Sequence, residues 1–135
     1  MASRLNPYLN FKDTTREAME FYQSVLGGKL DISTFGEFGG EPADGVMHAN
    51  LHTDDDFTLM ASDTPPGMEH TPGPANFSVS ISGDHADGDR LRGYFEKLSE
   101  GGEVTMPLEK QMWGDEFGMV TDRFGTPWMV NIAGG

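Results

Sequence analysis

Two Gly-Gly pairs, at 27–28 and 101–102, divide this chain into two copies of one pattern. Each pair follows an amphipathic helix and leads into a strand, as in Gly27-Gly28-Lys29-Leu30 and Gly101-Gly102-Glu103-Val104. Glycine just past a helix accommodates the left-handed turn that ends it. A strand stands before each helix, and three more follow each pair. The 74-residue spacing between pairs predicts two βαβββ modules, about 5–63 and 76–133, with a linker at 64–75. One such module is too small to bury its sheet well, so both are expected to form a single domain over 1–135. The fold class is α+β: curved mixed sheets around a cavity, with the helices outside.

The elements follow from periodicity. Pro7 to Phe11 reads as a strand, and a helix follows from about Thr14 to Leu26. Thr14-Thr15-Arg16-Glu17 fits a capping box, with Asp13 as the other N-cap candidate. Ala18, Phe21, Tyr22, Val25 and Leu26 form its apolar stripe. Strands are expected over 29–35, 46–53 and 57–62, with the acidic turn Asp54-Asp55-Asp56 between the last two. Residues 64–75 hold four prolines and two glycines, a composition suited to a connection. The second copy has a strand over 76–82, a helix from about Asp89 to Glu100 and a strand near 103–106. Leu91, Tyr94, Phe95 and Leu98 form the stripe of that helix. The chain closes with a hairpin over 117–132. Its connection, Asp122-Arg123-Phe124-Gly125, ends in the glycine that a left-handed turn position favours. Pro127 has no amide donor and should open the last strand, where Trp128, Val130 and Ile132 share the core face.

Charge and composition remove several functions. With 22 acidic and 9 basic residues the net charge is −13, which argues against nucleic acid, because phosphates need Lys and Arg. An acidic, soluble surface accounts for the charge, and attraction of a cationic ligand is the sharper alternative. There is no cysteine, hence no disulfide and no thiolate metal ligand. No apolar run reaches the roughly 20 residues of a membrane span, so no membrane partner is expected. Met1 to Leu5 has no signal-peptide character, which makes the cytoplasm the expected compartment.

The strand faces turned from the helices define a candidate site. Leu9 and Phe11 face the helix, leaving Asn6, Tyr8 and Asn10 inward. Met47, Ala49 and Leu51 are expected outward, with His48, Asn50 and His52 opposite. Phe57, Leu59 and Ala61 oppose Thr58, Met60 and Ser62. Phe77, Val79 and Ile81 oppose Asn76, Ser78 and Ser80, while the final strand offers Met129 and Asn131. This inner set is amides, hydroxyls, Tyr, His and Met, with no carboxylate expected at the middle of a strand. Exposed antiparallel faces more usually carry Lys, Glu and Arg, whereas small polar groups suit an enclosed site. His48 is the inward histidine nearest the centre. It is expected either to be hydrogen-bonded structure or, beside Asp63 or Tyr8, to serve as a general base. His52, His70 and His85 read as solvated. Trp113 and Trp128 read as core or interface residues, with stacking on a ligand as the other role for Trp113.

With these residues the chain resembles the vicinal-oxygen-chelate superfamily, which includes glyoxalase I, bleomycin-resistance proteins and extradiol dioxygenases, and within it the PhnB-like branch. The segments that carry the resemblance are Pro7 to Phe11, Phe21-Tyr22, Leu26-Gly27, His48-Ala49-Asn50, Met60-Ala61-Ser62-Asp63 and Trp113 with Phe117 through Met129. It implies the double-module fold, a homodimer and a small-molecule ligand. In metal-dependent members four His, Gln or Glu side chains on inward strands hold a divalent ion. The matching positions here are Asn6, Met60, Asn76 and Met129, so no metal and no cofactor are expected.

The leading expectation is a small-molecule-binding protein, with His48 as the candidate catalytic residue. Tyr8, Asn10, Asn50, Met60, Asn76, Ser78, Trp113, Met129 and Asn131 are the candidate ligand-binding residues. The alternative is a lyase, isomerase or dioxygenase acting on a small oxygenated substrate. One form of it is metal-free, with His48 as base and Asn10, Asn76 or Asn131 steadying an oxyanion. Sequestration of a cationic drug is a third class.

Overall fold

In the computed structural model, residues 6–64 and 77–134 are described. The chain divides into two compact units, Met1–Thr71 and Pro72–Gly135. The first unit runs β1 (Tyr8–Phe11), α1 (Thr15–Leu26), β2 (Lys29–Thr34), β3 (Val46–His52) and β4 (Thr58–Asp63). The second runs β5 (Val79–Gly83), α2 (Gly88–Ser99), β6 (Glu103–Lys110), β7 (Glu116–Thr121) and β8 (Pro127–Ile132). Their sheets have the same order, β1-β4-β3-β2 and β5-β8-β7-β6. In both, the first strand pairs parallel with the last and the other pairings are antiparallel. The predicted duplication is present, and the class is α+β.

Each helix packs its stripe on its own sheet. In α2, Leu91, Tyr94, Phe95 and Leu98 are all buried, as their spacing predicts. In α1 the stripe is shifted: Met19 is fully buried and Phe21 is only half-buried. On β8, Trp128, Val130 and Ile132 lie in the core. Burying side chains of this size contributes roughly 1.5–3 kcal/mol each, which is why these faces fix the register. Two aromatic residues expected in the core are outside it. Phe57 precedes β4 and is 36% exposed, and Phe77 precedes β5 and is 52% exposed.

Three local expectations are corrected by tertiary contacts. The start of α1 has no capping box, because Thr14 makes no side-chain cap bond. The carboxylate of Asp63, buried at the end of β4, accepts the Thr15 amide at 3.1 Å and the Val46 amide at 2.8 Å. One side chain thus joins α1, β3 and β4. Asp13 adopts a left-handed turn conformation (φ 63°) where N-capping would need an extended one. In β3 the register against β2 shifts between Ser33 and Thr34, so Val46, not Met47, takes the buried face. An extra residue at a bulge reverses the alternation beyond it.

The two hairpin turns share one design. Thr53 N donates to Phe57 O and its hydroxyl accepts the Phe57 amide, while Asp122 N donates to Thr126 O and its carboxylate accepts the Thr126 amide. Asp56 (φ 64°) and Gly125 (φ 90°) occupy the matching left-handed position. β6 extends well beyond the expected 103–106, to Lys110, with register shifts on either side of Met106, the second of them spanning Pro107. Proline has no ladder donor, and an edge strand tolerates it.

Arg92 of α2 grips Glu116 at the start of β7, its Nε donating at 3.0 Å and its terminal nitrogen to the second oxygen. The Arg92 hydrogen bond holds the Glu116 carboxyl below its ordinary range. Partial burial opposes this, while the charges of Arg92, His85 and Lys110 add to it. A carboxyl depressed in the folded state stabilises above its unfolded pKa, and that contribution is lost as pH falls through the folded value. Urea melts across about pH 6 to pH 2 are therefore expected to show a shallower acid loss of stability in Glu116→Gln than in the wild type. Parallel curves for the two proteins would contradict the assignment.

Candidate functional site

Register sorts the inner-face residues into rows. Across the first sheet Tyr8 stands opposite Met60, Met60 opposite Asn50, and Asn50 opposite Asp31. The adjacent row, Leu9, Ala61, Ala49 and Ile32, lies on the α1 side, with the first three fully buried. Alternation places the Tyr8 row on the sheet face away from α1. On that face Ser62 stands opposite Asn10 and donates its hydroxyl to Asn10 Oδ1 at 3.3 Å, and Ser33 stands opposite His48.

Tyr8 and His48 are neighbours. The Tyr8 hydroxyl lies 3.2 Å from His48 Nδ1, and the ring centroids are 5.8 Å apart, tilted by 36°. Tyr8 is 47% exposed and His48 is partly exposed, so the pair is open on one side. Asp63, the histidine's other expected partner, instead accepts the Thr15 amide at one oxygen and the Val46 amide at the other. Its role in this structure is to hold the helix.

Asn50 has an unusual environment. Its Oδ1 is buried and has no hydrogen-bond partner among the described residues. Asp31, opposite Asn50, puts a carboxylate at mid-strand on the inner face, against the expectation that none would be found there. The signal was available: in Lys29-Leu30-Asp31-Ile32-Ser33-Thr34, alternation puts Lys29, Asp31 and Ser33 together.

The other candidates belong to the second sheet or its edges. Met129 stands opposite Ser80 and Met119, and Met119 opposite Met106, giving a row of three thioethers. Of these three, Met129 is the expected inner-face residue, and the other two are additions from the register. Asn131 stands opposite Ser82 and Phe117, and its amide donates to Asp115 at 3.1 Å. That bond and, more strongly, the Gly134 amide hold the Asp115 carboxyl below its ordinary range. Asn131 is therefore anchored to the β6–β7 connection. Ser78 is half-buried just before β5. Trp113 is not a core residue: it is 60% exposed, with its ring 6.3 Å from that of Phe117. Trp128 is the buried tryptophan, and its indole donates to Asp122 at 2.8 Å. His52 and His85 are exposed, and His52 lies 3.2 Å from Asp56. Asn76, His70 and linker residues 65–75 lie outside the described residues.

Two copies of one βαβββ unit, with polar side chains on the sheet faces away from the helices, invite comparison with known proteins. A family model described as the Glyoxalase/Bleomycin resistance protein/Dioxygenase superfamily matches residues 4–130. The chain belongs to this superfamily. Among solved structures it is similar to protein PA1353 from Pseudomonas aeruginosa, with 38% identity, 99% of this chain and 100% of that one covered, and a TM-score of 0.87. It is also similar to a putative 3-demethylubiquinone-9 3-methyltransferase, PhnB protein, from Bacillus cereus, at 25% identity, 97% and 100% coverage and a TM-score of 0.77. Protein YjdN of Escherichia coli K12 is 27% identical over 143 residues, covering 95% of this chain and 94% of that protein. The resemblance to the PhnB-like branch is thus supported by sequence and by structure.

The superfamily's metal can be tested against the side chains present. The matching positions are Asn6, Met60 and Met129, with Asn76 outside the described residues. Hard divalent ions take oxygen ligands, and zinc takes imidazole, thiolate or carboxylate. An amide and two thioethers do not fit either. Among the described residues no three His, Asp or Glu side chains gather closely enough to hold an ion. No helix among them is long and apolar enough to cross a membrane.

Proposed function

We propose that this superfamily member is a small-molecule-binding protein that works without the metal of its metal-dependent relatives. Its ligand rests on the polar face formed by Tyr8, Asn10, His48, Asn50 and Met60. Ser78, Trp113, Met129, Asn131 and Asn76 belong to the second module's share of the same function. The proposal takes 1–135 as one domain, acting as a homodimer in the cytoplasm.

The observation that carries this reading is the buried Asn50 Oδ1, which has no partner among the described residues. A buried acceptor without a donor costs about 1–3 kcal/mol, and a ligand N–H or O–H, or a bridging water, removes that cost. Neighbouring side chains suit recognition: a thioether and a phenol ring supply apolar area, while Asn10 and His48 supply directed hydrogen bonds.

The test uses His48→Gln, which keeps hydrogen-bonding capacity and loses the titratable ring. Its thermal melt is expected to stay within about 0.5 kcal/mol of the wild type, as at other open sites. Calorimetry with a compound selected from a screen of small oxygenated metabolites is expected to show binding weakened about 10-fold, or about 1.4 kcal/mol. A large fall in melting temperature with affinity unchanged would make His48 a structural residue and remove it from the site.

A further inference from the structure

The Tyr8–His48 contact decides which way the histidine faces its ligand. The phenol is a good donor and a poor acceptor, while a neutral imidazole carries one strongly accepting nitrogen. At 3.2 Å between Tyr8 Oη and His48 Nδ1, the favourable arrangement has the hydroxyl donating to Nδ1. The ring proton of the neutral histidine then resides on Nε2, since the hydrogen bond at one nitrogen sets the state of the other. Tyr8 and His48 lie on the same face of β1 and β3, with β4 between the two strands.

We propose that Tyr8 is a positioning residue that fixes His48 as the Nε2–H tautomer, so that the histidine meets its ligand as a hydrogen-bond donor and not as a base. Both imidazole nitrogens are then committed: Nδ1 accepts from Tyr8, and Nε2 carries a proton. The group this arrangement takes is an oxygen acceptor. An uncharged carbonyl, ether or hydroxyl oxygen fits better than a carboxylate, because Asp31 lies on the same face and the chain carries a net charge of −13. Asn50 Oδ1, an acceptor with no donor among the described residues, asks for the complementary group. The ligand class is therefore an uncharged oxygenated molecule with an acceptor oxygen for His48 and an N–H or O–H for Asn50. This deepens the small-molecule-binding reading and rests on it for the ligand class, whereas the tautomer is a property of the free protein.

The experiment is long-range ¹H–¹⁵N spectroscopy of the histidine rings in the full chain at about pH 8, above the ordinary range of a free imidazole. The ring signals of His48 are assigned by their loss in His48→Gln. In the wild type His48 is expected to show a fully acceptor-type Nδ1 and a protonated Nε2. In Tyr8→Phe, which keeps the ring and removes the hydroxyl, both shifts are expected to move toward the averaged values of the same protein unfolded in urea. An Nδ1–H pattern in the wild type would overturn the proposal. An Nε2–H pattern that Tyr8→Phe leaves unchanged would equally overturn the role of Tyr8. These outcomes are read without ligand, so they are separate from failure of the binding reading, which would appear as no metabolite response on this face.

Discussion

Asp122→Ala is expected to destabilise the protein by about 4 kcal/mol, the largest single effect anticipated on this chain. Asp122 is 4% exposed, and its carboxylate accepts hydrogen bonds from the turn and from the core. Oδ1 takes the amides of Phe124 at 2.8 Å and Thr126 at 3.1 Å, and Oδ2 takes the Trp128 indole at 2.8 Å. Removing the carboxylate leaves buried donors unpaired and opens a cavity beside Trp128, the largest fully buried side chain. Asp122→Asn separates the contributions. Its oxygen can still serve the two turn amides, but its NH₂ then opposes the indole N–H. Asn is accordingly expected to cost about 2–3 kcal/mol, most of it recovered relative to Trp128→Phe in a double-mutant cycle. Urea melts of the four proteins check this. An Asp122→Asn protein as stable as the wild type would show that the indole bond contributes nothing.

Gly28→Ala and Gly102→Ala are each expected to cost about 3 kcal/mol or more, with Gly28→Ala the costlier of the two. A Cβ on Gly28 would stand 2.2 Å from the His52 carbonyl oxygen, and one on Gly102 would stand 2.3 Å from that of Thr121. Both obstacles are backbone, at the ends of the matching strands β3 and β7, so neither can step aside as a flexible side chain would. Gly28 also has φ 98°, a conformation that L-residues avoid. Gly93 in α2 has open space at its Cβ position and serves as the control. Gly93→Ala is expected to stabilise by about 0.5–1 kcal/mol through helix propensity. Denaturant melts that left Gly102→Ala unaffected while Gly28→Ala unfolded would contradict the equivalence of the two modules.

These glycines also show why the fold was legible. The Gly-Gly pairs, the α2 stripe and the Trp128–Val130–Ile132 face are local patterns whose meaning does not depend on distant residues. What escaped the sequence depended on partners far along the chain. Asp63 replaces the Thr14 capping box from 48 residues away, and nothing near Thr15 announces it. The β3 bulge substitutes Val46 for Met47 on the core face, and periodicity alone cannot place an extra residue in a strand. Phe57 and Phe77 look like strand residues by type, but they stand one and two places outside β4 and β5, where the alternation rule does not apply.

The inner face was legible to the extent that its strands were divided between faces. Alternation put Tyr8, His48, Asn50 and Met60 on one side, and the structure places Tyr8 beside His48 and in register with Met60 and, through it, Asn50. Asp31 and Met119 follow from the same alternation within β2 and β7, whereas Met106 lies between two register shifts that periodicity cannot place. The unpartnered Asn50 oxygen could not be read from sequence, since it depends on the hydrogen bonds its neighbours happen to make.

The most direct measurement of the central claim uses Met60, whose side chain shares the row of Tyr8 and Asn50. With ¹³C-methyl-labelled methionine, and the Met60 signal assigned by Met60→Leu, pools of small uncharged oxygenated metabolites are titrated into the full chain. The account predicts that the compounds that bind shift the Met60 methyl and the His48 ring signals together. It also predicts that Asn50→Leu, which removes the unpartnered oxygen while keeping the bulk, abolishes both shifts. Compounds that bind tightly while leaving Met60 and His48 unmoved, or that bind Asn50→Leu equally well, would contradict it.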